Sequence, residues 1–234
     1  TISESGDNPA AVVQANPTAG FSLITYTGTG DAGTIAHGLG AVPQMMIIKN
    51  RDAADAWAVY HGANTAAPAT DYLVLNTNAA TVDDAGYWAD AAPTSSVFTV
   101  HDAHNVNADG EKYVAYVFAE VEGYSKIDIY TGNGAADGTF VNTGFRPAWV
   151  MVKRTDGANN WVINDATRTP NNEITGSSST LYADTTNKES DLGTNVDFLS
   201  NGFKARTTGG HRNASGDYIY MAFAEAPFKY SNAR

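Results

Sequence analysis

Three short segments of this 234-residue chain gather side chains that bind ligands. The first, HDAHNVNADGE at 101–111, offers Asp102, Asn105, Asn107 and Asp109 as oxygen donors, and Asn105-x-Asn107-x-Asp109-Gly110 is similar to the first half of a calcium-binding loop. The twelfth position of such a loop is Tyr116 rather than a bidentate glutamate, so an Asn/Asp/Gly hairpin turn is the alternative. His101 and His104 stand three apart at a strand end, where their rings diverge, and they read as loop histidines. In the second, DDAGYWAD, the pair Tyr87 and Trp88 lies beside carboxylates, an arrangement that stacks on sugar rings. A buried plug under a long loop fits the same residues. The third, FKARTTGGHR, collects Lys204, Arg206, His211 and Arg212. These cations suit an anionic polysaccharide, with a solvated surface as the alternative.

Other chemistry finds less support. Gly28-x-Gly30-x-x-Gly33 has dinucleotide-loop spacing, but a β-like segment follows where a helix N-terminus would have to hold the pyrophosphate. There is no G-x-S-x-G and no H-E-x-x-H. Asp83 and Asp84 are adjacent, so on an extended chain they face opposite ways. No catalytic residue is assigned, and the expectation is a protein that is not an enzyme. With no cysteine, disulfides and thiolate chemistry are excluded. A net charge of −11 argues against nucleic acid. No apolar run approaches the length of a membrane helix, so no membrane insertion is expected. The charge is uneven: residues 20–122 sum to −9 and residues 123–234 to zero.

The elements that must hold these segments are written twice. YTGTGDAGTI at Tyr26–Ile35 returns as YTGNGAADGTF at Tyr130–Phe140. The same spacing pairs Pro43 with Pro147, Lys49 with Lys153 and Trp57 with Trp161. One residue further apart, Phe98 pairs with Phe203 and Tyr113 with Tyr218. Ordered matches over about a hundred residues point to a tandem duplication. Residues 1–19 read as a polar lead-in, 20–122 as copy A and 123–234 as copy B. Short β-branched and aromatic runs between Gly, Asn, Asp and Pro make the fold class all-β: two β-sandwich, jelly-roll-like domains of about 100 residues each. Alternation places Val114, Tyr116 and Phe118 inward in copy A, with Ile219, Met221 and Phe223 inward in copy B. Trp57 and Trp161 are expected in the cores.

The phrases HGLGAVPQMMIIKNRDA, TGFRPAWVMVKRTD, DFLSNGFK and YIYMAFAEAPF resemble the paired β modules that end tail, fibre and other virion structural proteins of marine tailed bacteriophages. The resemblance runs from about Gly20 to the terminus. It implies a non-enzymatic module at the virion surface, for host attachment, with host cell-surface polysaccharide and other virion proteins as partners. It assigns no site residues; the residues themselves offer Tyr87, Trp88, Lys204, Arg206 and Arg212 for glycan and Asp102, Asn105, Asn107 and Asp109 for calcium. Fibre proteins are often trimers, which makes a homotrimer an open expectation, although no heptad repeat supplies a stalk. The alternatives are a purely structural virion protein without glycan binding and, less favoured, a polysaccharide-degrading enzyme.

Overall fold

A computed structural model describes residues 1–168, 172, 180–189 and 196–227. Strands dominate, and every pairing among the described residues is antiparallel. The chain divides into two compact units, Thr1–Leu75 with Thr81–Glu120, and Asn76–Ala80 with Val121–Arg234.

Unit 1 contains β1 (Ala11–Asn16), β2 (Phe21–Thr27), β3 (Gly33–Ala36), β4 (Met45–Asn50), β5 (Ala58–His61), β6 (Asp71–Val74), β7 (Val82–Asp83), β8 (Val97–Val100) and β9 (Lys112–Phe118). Two single-turn helices join them, α1 (Ala85–Trp88) and α2 (His104–Asn107). A seven-stranded sheet runs β1-β2-β9-β4-β5-β6-β7, and β3 pairs with β8 in a second layer. Its core joins Ile24, Tyr26, Tyr113 and Ala115 of the large sheet to Ile35, Phe98 and Val100 of the small one. This is sandwich packing: each sheet hides one face against the other. Residues 1–19 supply β1, which lies on the edge of the sheet beside β2.

Unit 2 contains β10 (Ser125–Gly132), β11 (Phe140–Asn142), β12 (Pro147–Arg154), β13 (Val162–Asp165), β14 (Leu181–Tyr182), β15 (Val196–Leu199), β16 (Gly202–Ala205) and β17 (Gly216–Ala224). One sheet runs β10-β17-β12-β13-β14 and the other β11-β16-β15. The order β2-β9-β4-β5-β6 of unit 1 therefore recurs, strand for strand, as β10-β17-β12-β13-β14. Trp161 is buried at 1% exposure and Trp57 is half-buried.

The inward faces are the reverse of the sequence expectation. Tyr113, Ala115 and Val117 are fully buried, while Val114, Tyr116 and Phe118 are only half-buried. In unit 2 the core takes Tyr218, Tyr220 and Ala222, and Ile219 and Met221 are buried on the opposite face. The tyrosines can turn inward because each strand-end hydroxyl has a backbone acceptor waiting. Tyr113 donates to the carbonyl of His104 at 2.7 Å, and Tyr218 to that of Gly210 at 2.8 Å. A tyrosine so satisfied buries its ring without stranding its polar tip.

Candidate functional site

The repeated YTG phrase sits at the end of β2 and of β10, and its residues do the same work in both units. Tyr26 stacks on Tyr113 with ring centroids 5.0 Å apart, and Tyr130 on Tyr218 at 5.1 Å. The Tyr26 hydroxyl donates to the carbonyl of Val106, and the Tyr130 hydroxyl to that of Arg212 at 2.6 Å. Two residues on, a Cβ at Gly28 would lie 2.1 Å from the Ala108 oxygen, and one at Gly132 would lie 2.2 Å from the Ala214 oxygen. Only glycine permits that approach. The phrase is a clamp that holds the loop before the last strand.

That clamp accounts for much of the calcium-like segment. Asn107 is wholly buried, accepts from the Thr29 amide at 3.0 Å and donates to the Asp31 carbonyl at 2.7 Å. Asn213 does likewise in unit 2. It accepts from Asn133 and Thr139 amides at 3.2 Å and donates to the Ala135 and Thr207 carbonyls at 2.8 Å. Asn105 donates instead to the Tyr87 hydroxyl. Asp102 lies exposed, 3.4 Å from the His101 ring, and Asp109 packs against Gly30. The four expected calcium ligands thus face different neighbours. No group of three or more His, Asp or Glu side chains suited to a metal occurs among the described residues.

The aromatic pair is a plug rather than a platform, which corrects the stacking reading of Tyr87 and Trp88. Asp84 caps α1 by accepting from the Gly86 amide at 2.9 Å, and the single turn carries both rings inward. Tyr87 and Trp88 keep 4% and 1% exposure. The Tyr87 ring stacks on Tyr72 at 3.6 Å, and burial pushes its hydroxyl well above the usual tyrosine range. The Trp88 indole N–H donates to the Asp71 carbonyl at 3.0 Å, and its ring meets Tyr60 edge-on at 5.8 Å.

Arg212 is a second correction. It is 2% exposed, so it cannot line a surface with Lys204 and Arg206. Its guanidinium donates to Asn164 Oδ1 at 2.7 and 3.1 Å and to Thr180 Oγ1 at 2.7 Å. Burial lowers its pKa to about 10. Lys153 is also fully buried, with its amine on the Arg154 carbonyl at 2.5 Å, and burial lowers it to about 8. Lys49 repeats the contact in unit 1, on the carbonyls of Asn50 and Ala53, so this position serves the fold.

Lys204 and Arg206 remain at the surface, on a face that the sequence reading had not assembled. On the sheet β11-β16-β15, Phe140 and Asp197 both stand in register with Lys204. Neighbours in register share a face, so Phe140, Lys204 and Asp197 form one row. Asp137 binds the Lys204 amine at 2.6 Å and Arg206 at 3.0 Å, and Asp197 lies 2.7 Å from the Arg206 guanidinium. Lys204, then Arg206, holds the Asp137 carboxyl below its ordinary range. Phe140 keeps 44% exposure, while its neighbour Val141 turns into the core at 5%. An open aromatic ring beside a chain of paired charges can hold the apolar face of a sugar and its hydroxyls together. Because the cations are already matched by Asp137 and Asp197, this face suits neutral hydroxyls better than an anionic polymer. Phe140 was readable from the alternation of Phe140, Val141 and Asn142, but it closes a glycine-rich phrase that reads as turn.

No curated protein and no solved structure matches the chain. Residues 2–227 match a family described as Domain of unknown function (DUF7483), and the chain belongs to that family.

Proposed function

We propose, from the resemblance of the repeated phrases to virion modules of tailed bacteriophages and from the Phe140 face, that this is a non-enzymatic module displayed on a tailed-phage particle, attaching to glycan on the host cell surface. The observation that carries the reading is the exposed Phe140 ring in register with Lys204 and Asp197. The phrases held in both units support the same view. They build clamps and cores, while on the β11-β16-β15 sheet Phe140 stays exposed. Each site on such a module need bind only weakly, since a particle presents many copies.

A purely structural role is the second reading, and the same exposed Phe140 favours it, as an anchor for another virion protein. One comparison separates the two. Phe140→Ala is expected to reduce binding to extracted bacterial surface polysaccharide at least tenfold, with unchanged thermal stability and unchanged glycan length. Chelator is expected to leave binding as it was. If wild-type protein binds no cell or glycan but Phe140→Ala fails to assemble with other virion proteins, the structural reading replaces attachment. Shortened glycan would make the protein an enzyme.

A further inference from the structure

Unit 1 carries the acidic excess, yet two cations stand side by side on it without carboxylate partners. Among residues 20–122 the only basic side chains are Lys49, Arg51 and Lys112. Lys49 is tied to backbone carbonyls. Arg51 follows β4 and its amide donates to the Lys112 carbonyl at 2.7 Å, which continues the β4–β9 register and sets the two side chains on one face. Both are exposed, and neither forms an ion pair with any described residue. Asp52 accepts from the Lys112 backbone amide at 2.9 Å and not from its side chain. Like charges directly across two strands repel, so the pairing is unfavourable until something negative lies between them.

The same two side chains line a groove of about 270 Å³. Thr27 pairs with Lys112 in register, and Thr25 lies two residues back on the same face, so two hydroxyls extend the row. Ile2 and Val12, at 38% and 46% exposure, form the apolar wall. The result is a small concave site with a fork of donors at one end, hydroxyls along its floor and an apolar side. We infer that this groove binds the oxyanion of an acidic saccharide, a uronate carboxylate or a sulfate ester, with Arg51 and Lys112 on the anion and Thr25 and Thr27 on ring hydroxyls. A surface with a net charge of −9 over residues 20–122 disfavours a densely charged polyanion, whereas a single oxyanion per sugar meets only the two cations. The groove lies in unit 1 and the Phe140 row in unit 2, and the inference does not rest on that row.

The test is calorimetric titration of wild type, Arg51→Gln/Lys112→Gln and Phe140→Ala with a sulfated disaccharide, a uronate disaccharide and their neutral parent, at low and high salt. Wild type and Phe140→Ala are expected to bind an acidic disaccharide alike. The double variant is expected to lose at least tenfold, and the neutral parent to bind at least tenfold more weakly. Inorganic sulfate should compete only at much higher concentration. In the absence of sugar, the double variant should melt close to wild type, which separates lost binding from lost folding. The inference is overturned if neither acidic disaccharide binds at low salt, if the double variant binds as wild type does, or if poly-glutamate competes as well as the saccharide. Loss of binding in Phe140→Ala alone would return the ligand to unit 2.

Discussion

At one matched place the two units solve the same problem with opposite chemistry. The Tyr26 hydroxyl ends on the carbonyl of Val106, and the Tyr130 hydroxyl on the carbonyl of Arg212, so these residues hold equivalent positions. Strand register adds a second pair: Tyr60 faces Met46 as Asn164 faces Val150. In unit 1 Val106 is fully buried, with Tyr60 packed against Trp88. In unit 2 Arg212 is buried instead, and Asn164 with Thr180 receives its guanidinium. The clamp uses only the backbone carbonyl, so the side chain at that position is free to be apolar or charged. What is not free is the neighbour set, because a buried guanidinium needs acceptors. The two units share a frame and differ in the plug as a group.

The largest expected effect comes from mixing the two solutions. Val106→Arg puts a guanidinium against Tyr60 and Trp88 without the Asn–Thr acceptors, and should cost unit 1 about 3–5 kcal/mol. Hydrogen exchange should show unit 1 amides losing protection while those of unit 2 keep theirs. Next, Asn107→Ala and Asn213→Ala should cost about 2–3 kcal/mol each and by similar amounts, since each leaves several loop groups unpaired. Unequal losses in denaturant titrations would break the equivalence of the clamps. Arg212→Met leaves Asn164 and Thr180 without their donor and should cost about 1–3 kcal/mol. Adding Asn164→Leu should return part of it, as apolar replacement of a whole buried polar group often does.

The smallest effect is a difference in pH response. Lys153 is lowered to about 8 in the fold, so between that value and its ordinary 10.5 the unfolded chain binds the extra proton. Unit 2 therefore gains stability as pH rises from about 8 toward 10. The hydroxyls of Tyr26 and Tyr130 are raised well above 10 by burial, so above that pH the unfolded state loses protons first and unit 1 weakens, while in unit 2 the lowering of Arg212 to about 10 offsets part of the loss. Lys153→Met should remove the gain in unit 2 without altering the high-pH loss, as followed by denaturant midpoints across pH 7–11.

Most strands were legible because β-branched and aromatic runs stop at Gly, Pro and Asn. In KYVAYVFAE the β-branched and aromatic run ends at Phe118, where the observed strand Lys112–Phe118 also ends. The edge strand β1 was not legible, since in AVVQAN only Ala11 is buried and no alternation is imposed. Face assignment failed at β9 and β17 because alternation fixes two faces without saying which is inside. Each face of β9 carries a tyrosine, and the deciding acceptors, the carbonyls of His104 and Gly210, lie in segments that precede each strand. Tyr87 and Trp88 were visible as a pair, yet adjacency cannot tell a platform from a plug. The Asp84 cap that turns them inward stands in DDAGYW as an acidic residue just before a short helical turn. The Phe140 face depends on strands β11, β16 and β15 meeting, which local pattern does not reveal.

The tyrosine clamps also set the order of events when the chain is made. Tyr26 and its acceptor are 80 residues apart, and Tyr130 and its acceptor 82. While a ribosome is still delivering the chain, the first strand of a unit has left long before its clamp can close. Neither unit can lock until nearly all of it has emerged, because β2 pairs with β9 and β10 with β17. Such distant pairings make folding slow and leave unpaired strand edges open during synthesis. Unit 1 has the advantage of time, since it can finish while unit 2 is still being translated.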